Sequence, residues 1–149
     1  ELFCLWRGHL LAEMQQRVAA HGVGDRVQVI DRLVDVNEIL ASVHATVNLA
    51  AAEGIVKAYP HSLLDSLAAG KPVLVSQAIP MADYVAQTGC GAVVESVTPS
   101  AIDQALADLT ANYEGMAETA VRLGQRDFSL EAMIESYRAV YEIALREAA

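Results

Sequence analysis

No apolar run in this chain reaches the roughly 18 residues that a membrane-spanning helix needs. Positive charge is scarce: Lys and Arg number 10 against 19 Asp and Glu, for a formal net charge of −9. So acidic a chain excludes a general nucleic-acid binder, because phosphate backbones demand a basic patch. A small phosphorylated ligand stays open, since it needs only a local positive site. Cysteine is nearly absent too: Cys4 and Cys90 lie far apart, at no metal or redox spacing. They read as two reduced thiols in a cytosolic protein, with a single disulfide the alternative. No His/Cys/Glu cluster has zinc spacing. The GxGxxG fingerprint, the GxxxxGK(S/T) loop and the GxSxG elbow are all missing. The opening residues, Glu1 to Trp6, lack the basic region of a signal peptide and read as a strand. The chain is therefore expected to begin inside a larger protein.

What is present is a core. The 149 residues are 54% hydrophobic, enough for one packed domain. Short apolar runs read as strands at Leu2–Trp6, Arg26–Ile30, Ala45–Ala50, Pro72–Ser76 and Gly91–Glu95. Trp6 is assigned to the core. Between the strands, helical periodicity marks Leu10–Ala20, Val36–Val43, Pro60–Ala69 and Pro80–Gln87. Beyond the last strand come helices at Pro99–Asn112, Met116–Gly124 and Leu130–Glu147, the last with Ser129 as N-cap. Strands that are continuously apolar and alternate with helices predict an α/β fold: a Rossmann-like parallel sheet of about five strands with helices on both faces.

In such a sheet, ligands bind at the carboxyl ends of the strands. Four connections lie there: Arg7–His9, Asp31–Leu33, Ala51–Tyr59 and Gln77–Pro80. The third is long for a strand-to-helix connection and carries Glu53-Gly54 and Lys57. It runs into a helix opened by Pro60, whose start offers backbone N–H groups at His61, Ser62 and Leu63. A helix start carries partial positive charge and suits a phosphate, and Lys57 adds a full charge. Asp65 follows His61 by one turn, on the same face, where a carboxylate can accept hydrogen bonds from a ribose diol. Leu63, Leu64 and Leu67 face the core. Each of these features also occurs in proteins with no ligand there, so pattern alone stops at an α/β domain with a phosphate site.

The stretch Val56 to Leu74 (VKAYPHSLLDSLAAGKPVL) resembles the retaining GT-B glycosyltransferases of family 4. Their pattern is an acidic residue, seven others, a Glu, a small-residue helix end, then Gly-Lys-Pro-Val and a strand. Flanking pieces resemble the family in the same order: Gly24-Asp25-Arg26-Val27, Asp35 to Leu40, Ile79-Pro80 to Val85, Gly89 to Val94, and Phe128-Ser129. The resemblance covers roughly residues 2 to 145. Two departures stand out. Asp65, one methylene shorter, occupies the place of the family's second Glu. In the ungapped register Lys57 occupies the place of the first acidic residue.

The resemblance implies the donor half of a glycosyltransferase that moves a sugar from UDP- or GDP-sugar, with retention and without a metal. Lys57 and Asp65 then stand at the catalytic positions, and Arg32, Leu33, Lys57, His61, Ser62 and Asp65 bind the donor. The acceptor, a glycan or lipid, would be held by an N-terminal domain preceding Glu1, as would the Arg- and Lys-bearing strand–helix unit that grips the diphosphate. The 149 residues alone are accordingly expected to transfer no sugar. The protein is expected in the cytoplasm or at the membrane periphery. The apolar stripe Ile134, Tyr137, Val140, Tyr141, Ala144 and Leu145 on the last helix is expected to permit weak self-association. Two other readings compete: a degenerate, non-catalytic nucleotide- or partner-binding module, and a sugar-nucleotide epimerase of GT-B shape.

Overall fold

A computed structural model describes residues 1–6, 8–52 and 59–147. The chain forms two compact units, Glu1–Val36 and Asn37–Ala149.

The first unit is a β-α-β element. Strand β1 (Leu2–Leu5) pairs in parallel with β2 (Val27–Ile30), Leu2 opposite Val27 and Leu5 opposite Ile30, and helix α1 (Leu11–Ala20) connects them. None of its described residues is fully buried. Two strands and one crossover helix supply too few neighbours to enclose their side chains. The buried strand expected at Leu2–Trp6 is thus half-exposed, with Leu2 and Leu5 open to solvent. Trp6 is also not a core residue, being 39% exposed. Its N–H donates to the Ile30 carbonyl at 3.0 Å, and its indole lies against Gly8, where a Cβ would meet the ring at 2.7 Å.

The second unit opens within α2 (Val36–Ser42), one residue into the helix, which carries the buried Leu40. Its sheet has the order β3-β4-β5, from Thr46–Asn48, Val73–Ser76 and Gly91–Val94, all parallel. The five expected strands therefore exist, a pair in the first unit and a triplet in the second. β4 is the central strand, and all four of its residues are buried. Its side chains alternate between two cores. Val73 and Val75 meet Leu63 and Leu67 of α3 (His61–Ala68), Val85 of α4 (Ala82–Thr88) and Leu123 of α6 (Tyr113–Asp127). Leu74 meets Ala92 and Val94 of β5 and Ala105 and Leu109 of α5 (Pro99–Ala111). Helices thus cover both faces, the reason a parallel strand can be apolar throughout. Each fully buried leucine contributes about 1.5–3 kcal/mol.

Local chemistry sets the helix ends. Thr98 caps α5 by accepting from the Ala101 N–H, with Pro99 in the first turn. Ser129 accepts from the Ala132 N–H at 3.1 Å and opens α7 (Leu130–Glu147) as expected. α4 stops at Gly89, whose φ of 70° is the left-handed cap that glycine accommodates. α6 is longer than the Met116–Gly124 span expected. It starts directly beyond Asn112, whose carbonyl accepts from the Met116 N–H at 3.1 Å, and it runs through Gly124 to Asp127. The end of α6 is tied to α4: Tyr84 donates its phenolic proton to Asp127 at 2.7 Å and packs edge-on against Phe128. Burial, then that carboxylate, push the Tyr84 phenol well up. Cys4 and Cys90 are both free thiols, each pushed up by burial.

α7 has no buried residue. Its stripe of Ile134, Tyr137, Val140, Tyr141 and Leu145 is exposed, Leu145 at 72%.

Candidate functional site

β3 ends at Asn48, and α3 begins at His61 after the extended Pro60 (φ −67°, ψ 120°). Side chains join the two elements in two rungs. Asn48 Oδ1 accepts from Ser62 Oγ at 2.6 Å. Thr46 Oγ1 donates to Ser66 Oγ at 2.7 Å, and Ser66 Oγ donates to the Ser62 carbonyl at 2.5 Å. Ser66 is fully buried, and this ladder satisfies it. Residues 46 and 48 share a face of the strand, and residues 62 and 66 share a face of the helix.

His61 and Asp65 form the neighbouring row of α3, one turn apart, and both are exposed. Asp65 therefore does not point into the core, whereas Leu63 and Leu67 are fully buried, as expected. One part of the expected phosphate cradle needs correction. The Leu63 N–H is not available, because it donates to the Pro60 carbonyl at 3.0 Å, with the Leu64 N–H at 3.2 Å on the same oxygen. Proline fixes the turn and supplies this acceptor, so of the three N–H groups expected to meet a phosphate, those of His61 and Ser62 remain in the reading.

Arg32 and Leu33 follow β2 in the first unit, and both are exposed, Leu33 at 80%. Lys57, like Glu53 and Gly54, lies outside the described residues. At the carboxyl end of β4 an open depression of about 240 Å³ is lined by Gln77, Ala78, Ile79, Pro80, Ala82 and Asp83. A larger one, about 760 Å³, is lined by Gly89 and residues 110–116. Gly89 lies before β5, at the amino end of the strand, the wrong side of the sheet for a ligand.

Sequence reasoning missed the polar residues that shape this end of the sheet. Asn48, Thr46 and Ser66 form the ladder. Ser76, buried at the end of β4, accepts from the Ala50 N–H at 2.8 Å and donates to the Ala50 carbonyl at 2.9 Å. The sequence shows the matching periods of the ladder residues but not that they pair. Thr46 and Asn48 stand two apart in an apolar strand, and Ser62 and Ser66 stand four apart in a helix.

The sequence model of the glycosyl transferases group 1 matches residues 7–127. The chain belongs to this family. As a group 1 domain it has the GT-B, Rossmann-like fold, with parallel strands and flanking helices. Among solved structures it is similar to WaaG, a glycosyltransferase involved in lipopolysaccharide biosynthesis, at 23% identity and a TM-score of 0.68, over 83% of this chain and 33% of that one. It is also similar to sucrose-phosphate synthase from Thermosynechococcus elongatus, at 17% identity and a TM-score of 0.71, over 93% and 35%. The chain thus spans about a third of each of these proteins. No curated protein matches it. Among the described residues no helix is long and apolar enough to cross a membrane.

Proposed function

We propose that this chain binds the donor, a UDP- or GDP-sugar, for a retaining glycosyl transfer to a glycan or lipid acceptor. The observation that carries the reading is the exposed His61/Asp65 row at the carboxyl end of β3, within a domain of the group 1 family. In this reading the donor diphosphate lies against the N–H groups of His61 and Ser62, where the start of α3 concentrates positive charge. Lys57 adds a full charge, so no metal is needed to stabilise the departing diphosphate. Asp65 accepts hydrogen bonds from the ribose diol. The acceptor is held by a further domain, because transfer needs both substrates aligned. A cytoplasmic protein, soluble or at the membrane periphery, fits this use of a nucleotide sugar.

Saturation-transfer NMR against UDP- and GDP-sugars tests the reading. Asp65→Ala should weaken nucleotide binding by about 1–3 kcal/mol, the worth of two charge-assisted hydrogen bonds. Equal affinity in wild type and variant removes Asp65 from the ribose. Failure of the wild type to bind any donor favours the degenerate module, to which Lys57 at an acidic position points. The exposed α7 stripe should give weak self-association of the chain, and a strict monomer in concentrated sedimentation runs counts against that.

A further inference from the structure

We infer that Asn48 is a positioning residue for donor binding, acting through Ser62 on the neighbouring row of α3. The inference rests on the nucleotide-sugar reading above. Ser62 has one hydroxyl proton, and it goes to Asn48 Oδ1 at 2.6 Å. The Ser62 side chain therefore has no proton to give a phosphate: it holds the helix, and only its backbone N–H faces the anion. The second rung, Thr46 to Ser66, lies one turn further along. Two residues of strand advance about 6.6 Å, and four residues of helix advance about 6.0 Å, so the two rungs match in spacing. A single rung lets a helix pivot; two rungs fix both its slide along β3 and its rotation. His61 and Asp65 each precede a rung residue, about 100° around the helix. The direction of the Asp65 carboxylate is thus set by the Ser62/Ser66 row. A hydrogen bond from a ribose hydroxyl weakens steeply as that direction drifts.

A residue that only stabilised the fold would shift the melting temperature. Ser62 is exposed, Asn48 is half-buried and the bond between them is exposed, so water reaches the partner left behind and the melting temperature should hold in Asn48→Ala and Ser62→Ala. Affinity for UDP and for GDP, titrated by NMR on the whole chain, should instead fall about three- to tenfold in each variant. Ser62→Thr keeps the hydroxyl and should keep the affinity. The double variant should bind no more weakly than either single one, because both break one interaction. The Asp65 amide resonance should move in Asn48→Ala and stay in place in Ser62→Thr. Wild-type affinity in Asn48→Ala, or losses that add in the double variant, would overturn the inference. Should the wild type bind neither nucleotide at millimolar concentration, the donor reading fails, and the Asp65 resonance still decides the positioning: an unmoved resonance in Asn48→Ala refutes it.

Discussion

Replacing Gly124 by alanine should destabilise the second unit by about 3 kcal/mol, even though alanine is the better helix former. A Cβ at this position would stand 2.1 Å from the Leu67 carbonyl oxygen and 2.9 Å from its carbon. Both atoms are backbone, in the last turn of α3, so no side chain can swing aside. The Leu67 carbonyl also accepts from the Gly70 N–H at 2.9 Å, closing that turn. Relief requires α3 and α6 to separate by more than an ångström. That opens the core around Leu63, Leu67, Ala120 and Leu123, all of them essentially unexposed. The gain of about 1 kcal/mol in helix propensity does not offset this. Gly115, in the same helix, is the control, since nothing lies within 4 Å of its Cβ position. Gly115→Ala should range from neutral to stabilising by about 1 kcal/mol. Denaturant midpoints at constant m-value compare the two. Equal midpoints for the two variants would show that the helices separate freely. Because α3 carries the His61/Asp65 row, Gly124→Ala should also weaken donor binding if the proposed function holds.

Gly124 shows where sequence reading stops. Glycine after an apolar periodic stretch reads as a helix end, and α6 was expected to finish there. Gly124 instead sits inside the helix because another backbone crosses it, and a crossing leaves no local trace. The helix expected to end at Gln87 does end within two residues of it, at Gly89, because a left-handed cap is a local requirement. The same division holds for the strands. The apolar run at 73–75 forms the central strand, since burial on both faces demands a continuous run. The run at 2–6 looks similar and yet is half-exposed, because burial depends on how many neighbours arrive. At the candidate site, the helix start, the inward leucines and the outward Asp65 were legible from helical period. The Ser62–Asn48 and Ser76–Ala50 bonds were not, as each joins residues that only the fold brings together. The family pattern added the catalytic position proposed for Asp65, which no period or composition supplies.

Ser76→Ala should cost the second unit about 2–4 kcal/mol, from the loss of partners for two buried backbone groups. Strand pairing runs Thr46–Val73, Val47–Leu74, Asn48–Val75 and then ceases. Beyond it, the Ser76 hydroxyl takes over what a further strand residue would do. It accepts from the Ala50 N–H at 2.8 Å and donates to the Ala50 carbonyl at 2.9 Å. Serine is 1% exposed here and Ala50 is 6% exposed, so water cannot easily replace either bond. Alanine fits the space but leaves one donor and one acceptor orphaned. Each orphan costs about 1–3 kcal/mol, and the total is kept lower by partial relaxation. Threonine keeps the hydroxyl, adding a methyl to a packed site, and should lose less than alanine. Cysteine, isosteric but a poor hydrogen-bonding group, should resemble alanine. Equilibrium unfolding of the three variants gives the order directly. A loss below about 0.5 kcal/mol in Ser76→Ala, the size of an ordinary surface substitution, would mean that the Ala50 groups find other partners. Ala50 opens the connection to Pro60 and the start of α3. Hydrogen exchange at the Ala50 amide in Ser76→Ala should therefore quicken well beyond that at Val75, which keeps its place in the strand ladder.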